Sequence, residues 1–331
     1  MQDKQAYTSH QEAQPLVTFI VTCYNLPVNM LCECIDSILA LPLGPSEREI
    51  IVVDDGSEDS PMESLKSYAD DIIYLRKANG GVSTARNMGL RTARGRYIQF
   101  VDGDDRLIPA TYGHCLDIVR NGQADVVMYD FTHLQKDSVT YEDWEAMSGC
   151  QLMRQHNIQG AACLCLFRHG ILGKLCFTPG ISYGEDEEFT PQLLLRADRV
   201  VRTTAKAYFY RLRATSATGN KSAEGIQRRL DDNLKVIRSL NTTADTLPTD
   251  EHLALERRVA QLTMDYIYNT IVLTRDSSQL HDRIGTLRSE GLFPLPDRDY
   301  TTKYRWFRKM TSTSAGLSLL MKVLPLMKKE R

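Results

Sequence analysis

The sequence predicts an α/β protein, a parallel sheet with helices on both faces followed by a helical C-terminal extension. Three observations predict it. Between residues 16 and 129, short runs rich in β-branched and apolar residues alternate with segments of helical period, joined by short connections. Each of the principal runs ends in a polar cluster rather than in further apolar residues. From residue 223 onward the period is helical alone.

The elements follow in order. Leu16–Cys23 (LVTFIVTC) is short and apolar enough for a buried parallel strand. Met30–Leu41 places Leu31, Cys34, Ile35, Ile38 and Leu39 at helical spacing, and Pro42, Gly44 and Pro45 stop it. Glu49–Asp54 is a second strand. Pro61–Ala69 predicts a helix, with Ser60 as N-cap and Pro61 at its first position. Ile72–Leu75 is a third strand, Val82–Arg94 a helix after Asn79-Gly80-Gly81, and Arg96–Val101 a fourth strand. Pro109–Asn121 is helical and Asp125–Tyr129 a strand. Residues 132–150 are polar and irregular, a hairpin or insertion. Ala205–Arg211 resembles a strand. Helical segments then include 253–273 and 280–287, punctuated by Pro248, Pro294 and Pro296.

With 331 residues the chain suggests two domains, or one large domain with an appendage. The expected division is a disordered leader at 1–14, a catalytic-type domain at 15–220, a helical region at 221–300 and a basic amphipathic tail at 301–331. Hydrophobic residues make up 42% and charged residues 25%, which excludes a collagen, a disulfide mini-protein or a disordered tail. The net charge of −2 excludes a molecule built to coat nucleic acid. The N-terminus lacks a signal-peptide pattern and no apolar run reaches membrane-span length, so a cytoplasmic protein is expected. None of the eight cysteines forms CxxC, and buried packing thiols are expected rather than a zinc or redox site.

Chemistry should lie beyond the carboxyl ends of the strands, where ligands of open α/β sheets bind. Three acidic clusters fall there: Asp54-Asp55-Gly56-Ser57, Asp102-Gly103-Asp104-Asp105 and Glu185-Asp186-Glu187-Glu188. Carboxylates converging on one sheet edge repel one another unless a cation neutralises them. A hard divalent ion with oxygen ligands, Mn²⁺ or Mg²⁺, suits such a set, particularly when a substrate phosphate completes its shell. Residues i and i+2 of an extended segment point the same way, so Asp102 and Asp104 can face one ligand. Any one cluster alone also reads as a solvated turn or helix cap.

The ordered series LVTFIVTCYN, EIIVVDDGSEDS, NGGVSTARNMGLRTARGRYIQFVDGDDRLIP, GISYGEDEEFTPQLL and YFYRLRATSAT resembles the inverting glycosyltransferases of family 2 over residues 15–216. The resemblance implies a GT-A (Rossmann-like) fold with a mixed, mostly parallel sheet. It also implies transfer of a sugar from a nucleotide-diphosphate donor, UDP-linked by expectation. The acceptor would be a hydroxyl of a glycan or lipid-linked molecule in bacterial surface-polysaccharide synthesis.

By position, Thr22 and Tyr24 would hold the nucleobase, with Tyr24 stacking on it. Asp55 would accept a hydrogen bond from the base, supported by Asp54 and Asn25. Arg86 would lie near nucleotide and donor sugar, pairing a phosphate or carboxylate, or would make a structural salt bridge to one of the Asp clusters. Asp102 would meet ribose or metal-bound water, and Asp104 the metal itself. Asp186 would be the catalytic base of a single displacement. Arg211, Arg213 and Ser216 match a basic-polar segment that covers the diphosphate in the family, without the family's frequent His.

Two other functions use the same carboxylates: a nucleotidyltransferase, and a sugar-nucleotide-binding protein without activity. Tyr24-Asn25-Leu26-Pro27 stands where the first would carry a Gly-rich phosphate loop, and intact Asp102, Asp104 and Asp186 speak against the second.

The tail lies outside the resemblance. Residues 301–331 carry eight Lys and Arg against Glu330 alone, interleaved with Trp306, Phe307, Leu320 and other apolar residues. This reads as an element that docks on the inner face of the plasma membrane, with Trp306, Phe307 and Leu320 entering the interface, or as a terminal helix packed on the protein. Pro325 predicts a short helix with a basic tail rather than one continuous helix.

Overall fold

The computed structural model describes residues 14–122, 124–134, 139–213 and 222–327. Apart from Gln14, the expected leader lies outside the described residues, as do Ser216 and the last four residues of the tail.

Among the described residues, eight strands form one sheet: β1 (Val17–Cys23), β2 (Arg48–Asp54), β3 (Ile72–Arg76), β4 (Tyr97–Asp102), β5 (Arg106–Leu107), β6 (Val126–Thr132), β7 (Cys165–Arg168) and β8 (Val200–Phe209). Their order is β3-β2-β1-β4-β7-β6-β8-β5. β1, β2, β3 and β4 run parallel, as do β6 and β8, whereas β7 is antiparallel to both β4 and β6. β5 pairs antiparallel with β8. The sheet is therefore mixed.

Every residue of β1 is buried, because helices cover both faces of the sheet. One layer contains α1 (Val28–Leu39) and α3 (Pro109–Arg120), whose Leu31, Ile35, Tyr112 and Leu116 pack on Phe19 and Val21. The opposite layer contains α2 (Val82–Thr92), α4 (Gly149–Gln155) and α5 (Glu185–Leu194), packed on Ile20, Ile98 and Phe100. A Cβ on Gly89 would stand 2.3 Å from Ile20 Cγ2, so glycine is what lets α2 press against β1.

Several sequence expectations change. Pro61–Ala69 is two 3-10 turns, Pro61–Glu63 and Lys66–Tyr68, rather than an α-helix. Only Pro61 and Leu65 of this segment are buried, too little apolar surface to hold a full helix. β8 begins at Val200, five residues before the expected strand. Its alternation of inward Val201, Thr203 and Ala205 with outward Arg202, Thr204 and Lys206 marks the early half. The four-residue β7 and two-residue β5 leave almost no periodic signal.

The C-terminal helices are α6 (Ala223–Ala244), α7 (Thr249–Thr274), α8 (Ser277–Ser289), α9 (Thr302–Thr311) and α10 (Ser314–Met327). They share an apolar cluster of their own, built from residues such as Leu230, Ile237, Ile267, Ile271 and Leu287. Tyr304, Phe307, Leu320 and Leu324 of α9 and α10 belong to that cluster. Phe307 and Leu320 are thus packing residues, not interface residues. α10 also continues through Pro325 to Met327, the last described residue, so the proline, which forfeits one hydrogen bond, does not break the helix at its own position.

Candidate active site

The parallel register brings the clusters together. Thr22 of β1 stands opposite Val53 of β2 and Asp102 of β4, and Cys23 stands opposite Asp54. The first two acidic clusters therefore flank the carboxyl end of β1. The third arrives on the first turn of α5, whose N-terminal end favours negative charge.

Arg86 joins these parts. It projects from α2, is 2% exposed, and stacks near the rings of Phe100 and Phe177 at 5.7 and 5.2 Å. Its Nη1 donates to Asp186 Oδ1 at 2.5 Å and to Glu185 Oε1 at 3.2 Å, and its Nη2 donates to Asp102 Oδ1 at 3.1 Å. One buried guanidinium thus ties the β4 cluster to the α5 cluster. Burial opposes its charge, but Asp186, Asp102 and Glu185 together outweigh that and hold Arg86 firmly protonated.

The carboxylates respond in the opposite sense. Burial raises the pKa of Asp186 despite the opposing charge of Arg86. Burial, followed by the charge of Asp186, pushes Glu185 up to about 7. The side chain of Asp186 keeps 19% exposure, so it can still meet a ligand.

At the end of β2, Asp54 is fully buried and spends its carboxylate inside the protein. It accepts from Ser57 N at 2.9 Å and Tyr74 Oη at 2.8 Å, and Arg76 Nε lies 3.4 Å away. Asp55 accepts from Lys77 Nζ at 2.5 Å and from the backbone N–H groups of Gly80 and Gly81 at 3.1 and 2.7 Å. Asn25 adopts φ +47° and laces the ends of β1 and β2: its N–H donates to Ser57 Oγ and its Oδ1 accepts from Glu58 N. Tyr24 leaves its ring 47% exposed beside these groups, and Thr22 is buried, its carbonyl accepting from Gly103 N.

Beyond β4, Asp104 Oδ2 accepts from Arg213 Nη1 at 2.8 Å, and its carbonyl accepts from Arg211 Nε. Asp105 Oδ1 accepts from Arg211 N, while its buried Oδ2 has no hydrogen-bond partner among the described residues. Burial, with the charge of Asp102, lifts the Asp105 carboxyl to about 8. Asp102 and Asp104 keep 32% and 24% of their side chains exposed. This oxygen-only set fits a hard cation. Among the described residues no three metal-ligating side chains converge, so phosphate oxygens would have to complete the shell.

Some participants escape sequence reading. Lys77 on Asp55, Glu33 on Arg211 at 2.6 Å, and Tyr208, whose hydroxyl accepts from Asp102 N, are contacts between segments far apart in the chain. Local spacing carries no sign of them.

A mixed α/β sheet with carboxylates gathered beyond its strand ends places this site where open α/β sheets bind ligands. Residues 18–171, somewhat under half of the chain, match the model of glycosyl transferase family 2. The chain is 33% identical over 220 residues to the uncharacterized glycosyltransferase EpsJ of Bacillus subtilis, covering 62% of this chain and 63% of that one. It is 27% identical over 215 residues to the minor teichoic acid biosynthesis protein GgaB of the same organism, covering 62% of this chain and 24% of GgaB. The alignment thus spans under two thirds of either relative. In fold it is similar to S. aureus TarS 1–349 in complex with UDP-GlcNAc, with a TM-score of 0.63 at 16% identity, over 95% of this chain and 91% of TarS 1–349. That likeness establishes a GT-A-like architecture with C-terminal helices.

Proposed function

We propose that the chain is an inverting glycosyltransferase that moves a sugar from a nucleotide-diphosphate donor to a hydroxyl of a glycan or lipid-linked acceptor in surface-polysaccharide synthesis. The observation that carries this is buried Arg86 holding Asp102 and Asp186 in one network, which in this reading joins the donor side of the site to the acceptor side. The relationship to GgaB and the fold shared with a UDP-GlcNAc complex of TarS favour a UDP-sugar and a cell-surface polymer.

In this reading the exposed ring of Tyr24 stacks on the base, and Thr22, Asn25 and Asp55 shape the base and ribose pocket. Asp54 braces that pocket through Tyr74 and Ser57 rather than touching the nucleotide. Asp104 and Asp102 would hold Mn²⁺ or Mg²⁺, with Arg213 leaving Asp104 as the diphosphate arrives. Such a cation offsets the charge that develops on the departing diphosphate. Asp186 accepts the proton of the acceptor hydroxyl while the new bond forms at the anomeric carbon and the bond to the diphosphate breaks, inverting that centre. Arg86 is a positioning residue: it aims Asp186 and keeps its carboxylate available.

The second half of the proposal concerns location. No helix among the described residues is long and apolar enough to cross a membrane. Leu319, Val323, Leu326 and Met327 of α10 are exposed, as are Trp306 of α9 and the basic Lys309 and Lys322. A cytoplasmic enzyme could reach a lipid-linked acceptor by resting these residues on the anionic inner leaflet.

The test is an assay of donor cleavage over UDP- and GDP-sugars, with Mn²⁺ and with EDTA, followed by NMR of the anomeric configuration of the transferred sugar. Nucleotide release with a β-linked product from an α-linked donor is expected. Retention of configuration would reject the single displacement. Pyrophosphate release from a nucleoside triphosphate would point to nucleotidyl transfer instead.

A further inference from the structure

The turn that carries Asp186 is held by two sets of contacts. One is Arg86, which takes Glu185 and Asp186. The other comes from α6 and α7 of the helical region, whose side chains grip residues 182–188. Buried Asp232 of α6 accepts from Ser182 N at 2.9 Å, and Arg228 Nη2 donates to Ser182 Oγ at 2.9 Å. Ser239 Oγ donates to Oε1 of buried Glu188. Arg258 of α7, only 5% exposed, pairs through Nη2 with Glu187 Oε2.

Arg258 has a second partner. Its Nη1 donates to Ile158 O at 2.9 Å, so one guanidinium ties Glu187 to the segment that leads into the 3-10 turn Ala162–Leu164. Arg257 and Gln261, also on α7, both donate to Asn157 Oδ1, the former at 3.1 Å, and fix the start of that segment. Further along it, the backbone of Ala162 hydrogen-bonds the Asp186 carboxylate. Gly160 lets the segment pass close, since a Cβ there would overlap the Glu187 carboxylate. Asp186 is thus flanked by its chain neighbour Glu187 and its backbone partner Ala162, and both lead back to the same side chain of α7.

We propose that Arg258 is a positioning residue for the transfer, and that the helical region takes part in the active site through it. Asp186 and Glu187 are consecutive residues of one helical turn, so a shift of Glu187 carries Asp186 with it. A guanidinium that forks to a carboxylate and a carbonyl fixes direction as well as distance, which a single point charge does not. Arg86 holds the turn at Glu185 and Asp186, and Arg258 supplies a separate fixed point at Glu187. A base displaced by about 1 Å from the oxygen it must deprotonate loses much of its effect. This assignment rests on the glycosyltransferase reading above, in which Asp186 is the base, and gives α7 a part in that chemistry.

The test measures nucleotide release from UDP- and GDP-sugars by the full chain in Mn²⁺, with water as acceptor, and UDP affinity by calorimetry. Arg258→Met should lower kcat by roughly 10–100-fold and leave the donor KM and UDP affinity unchanged. Arg258→Lys keeps the charge beside Glu187 but not the fork, and should recover part of that turnover. In an Asp186→Asn background Arg258→Met should cost little more, because the group it acts through is already gone. Leu287→Ala opens the apolar cluster of the helical region and removes none of these contacts, so it should lower the melting temperature and keep kcat. Unchanged kcat in folded Arg258→Met, losses that multiply in the double variant, a matching loss in Leu287→Ala, or a fall in UDP affinity would each overturn the proposal. Should Arg258→Met fail to fold, Arg258→Lys carries the same cycle. If the wild type releases no nucleotide from any donor, the transferase reading fails instead, and hydrogen exchange still decides the positioning role. Exchange over residues 182–190 should then rise in the Arg258 variant relative to β1 and β2, and unaltered exchange there would overturn it.

Discussion

Replacing Arg86 with Met would leave Asp102, Glu185 and Asp186 around a buried space with no cation between them. Breaking a buried charge network by removing one partner costs about 3–5 kcal/mol, so the thermal midpoint of R86M should fall by several degrees or more. Arg86→Lys keeps the charge but cannot fork to two carboxylates, and should recover stability better than turnover. A variant R86M as stable as the wild type would show that the network is not held by this charge. Asp186→Asn retains shape and should lower turnover by roughly 10²–10⁴ while nucleotide affinity stays the same. The pH profile follows from the neighbouring carboxyls. Because Asp186 is raised and Glu185 reaches about 7, activity should fall as pH drops through that region, when the pair takes up protons. In Glu185→Gln a negative charge beside the base is gone, so the acidic limb should move to lower pH. An unmoved limb would mean Glu185 is not coupled to the base.

At the level of elements, the α9–α10 pair has one packed face and one exposed face. Tyr304, Phe307, Leu320 and Leu324 close the apolar cluster of α6–α8, and the exposed face of α10 is left for a surface. Truncation before Thr301 would therefore uncover the helical core, and a loss of liposome binding in that variant could be mere unfolding. Leu319→Asp with Leu326→Asp changes only the outer face. The pair should keep the wild-type melting curve and lose sedimentation with anionic liposomes at low salt. Wild-type sedimentation should also fade at high salt, since screening shortens the reach of its basic residues. Unchanged sedimentation of the double variant would reject membrane contact through α10.

For the molecule as a whole, donor binding should be visible as stability. A ligand that binds only the folded state at 100 times its Kd adds about 2.7 kcal/mol, so the correct nucleotide sugar with Mn²⁺ should raise the melting temperature measurably. Asp104→Ala should melt like the wild type without ligand and lose this gain in Mn²⁺, because the residue lies on a loop at the sheet edge rather than in the core. A full shift in the variant, or in excess EDTA, would remove the metal from the mechanism.

The sequence by itself determined the alternating half of this protein. Strands β1 to β4 and helices α1 to α3 are local: each is recognisable because its own residues carry the period of its buried face, and each acidic cluster is contiguous in the chain. The ordered motifs were equally legible, since strand-end residues sit at fixed offsets from apolar runs. Tertiary structure alone decided the rest. β7 and β5 exist because neighbouring strands complete their hydrogen bonds, which four or two residues cannot announce. The role of Arg86 depends on partners 16, 99 and 100 residues away. The sequence left it between a donor contact and a structural salt bridge; folding buried it and supplied three carboxylates at once.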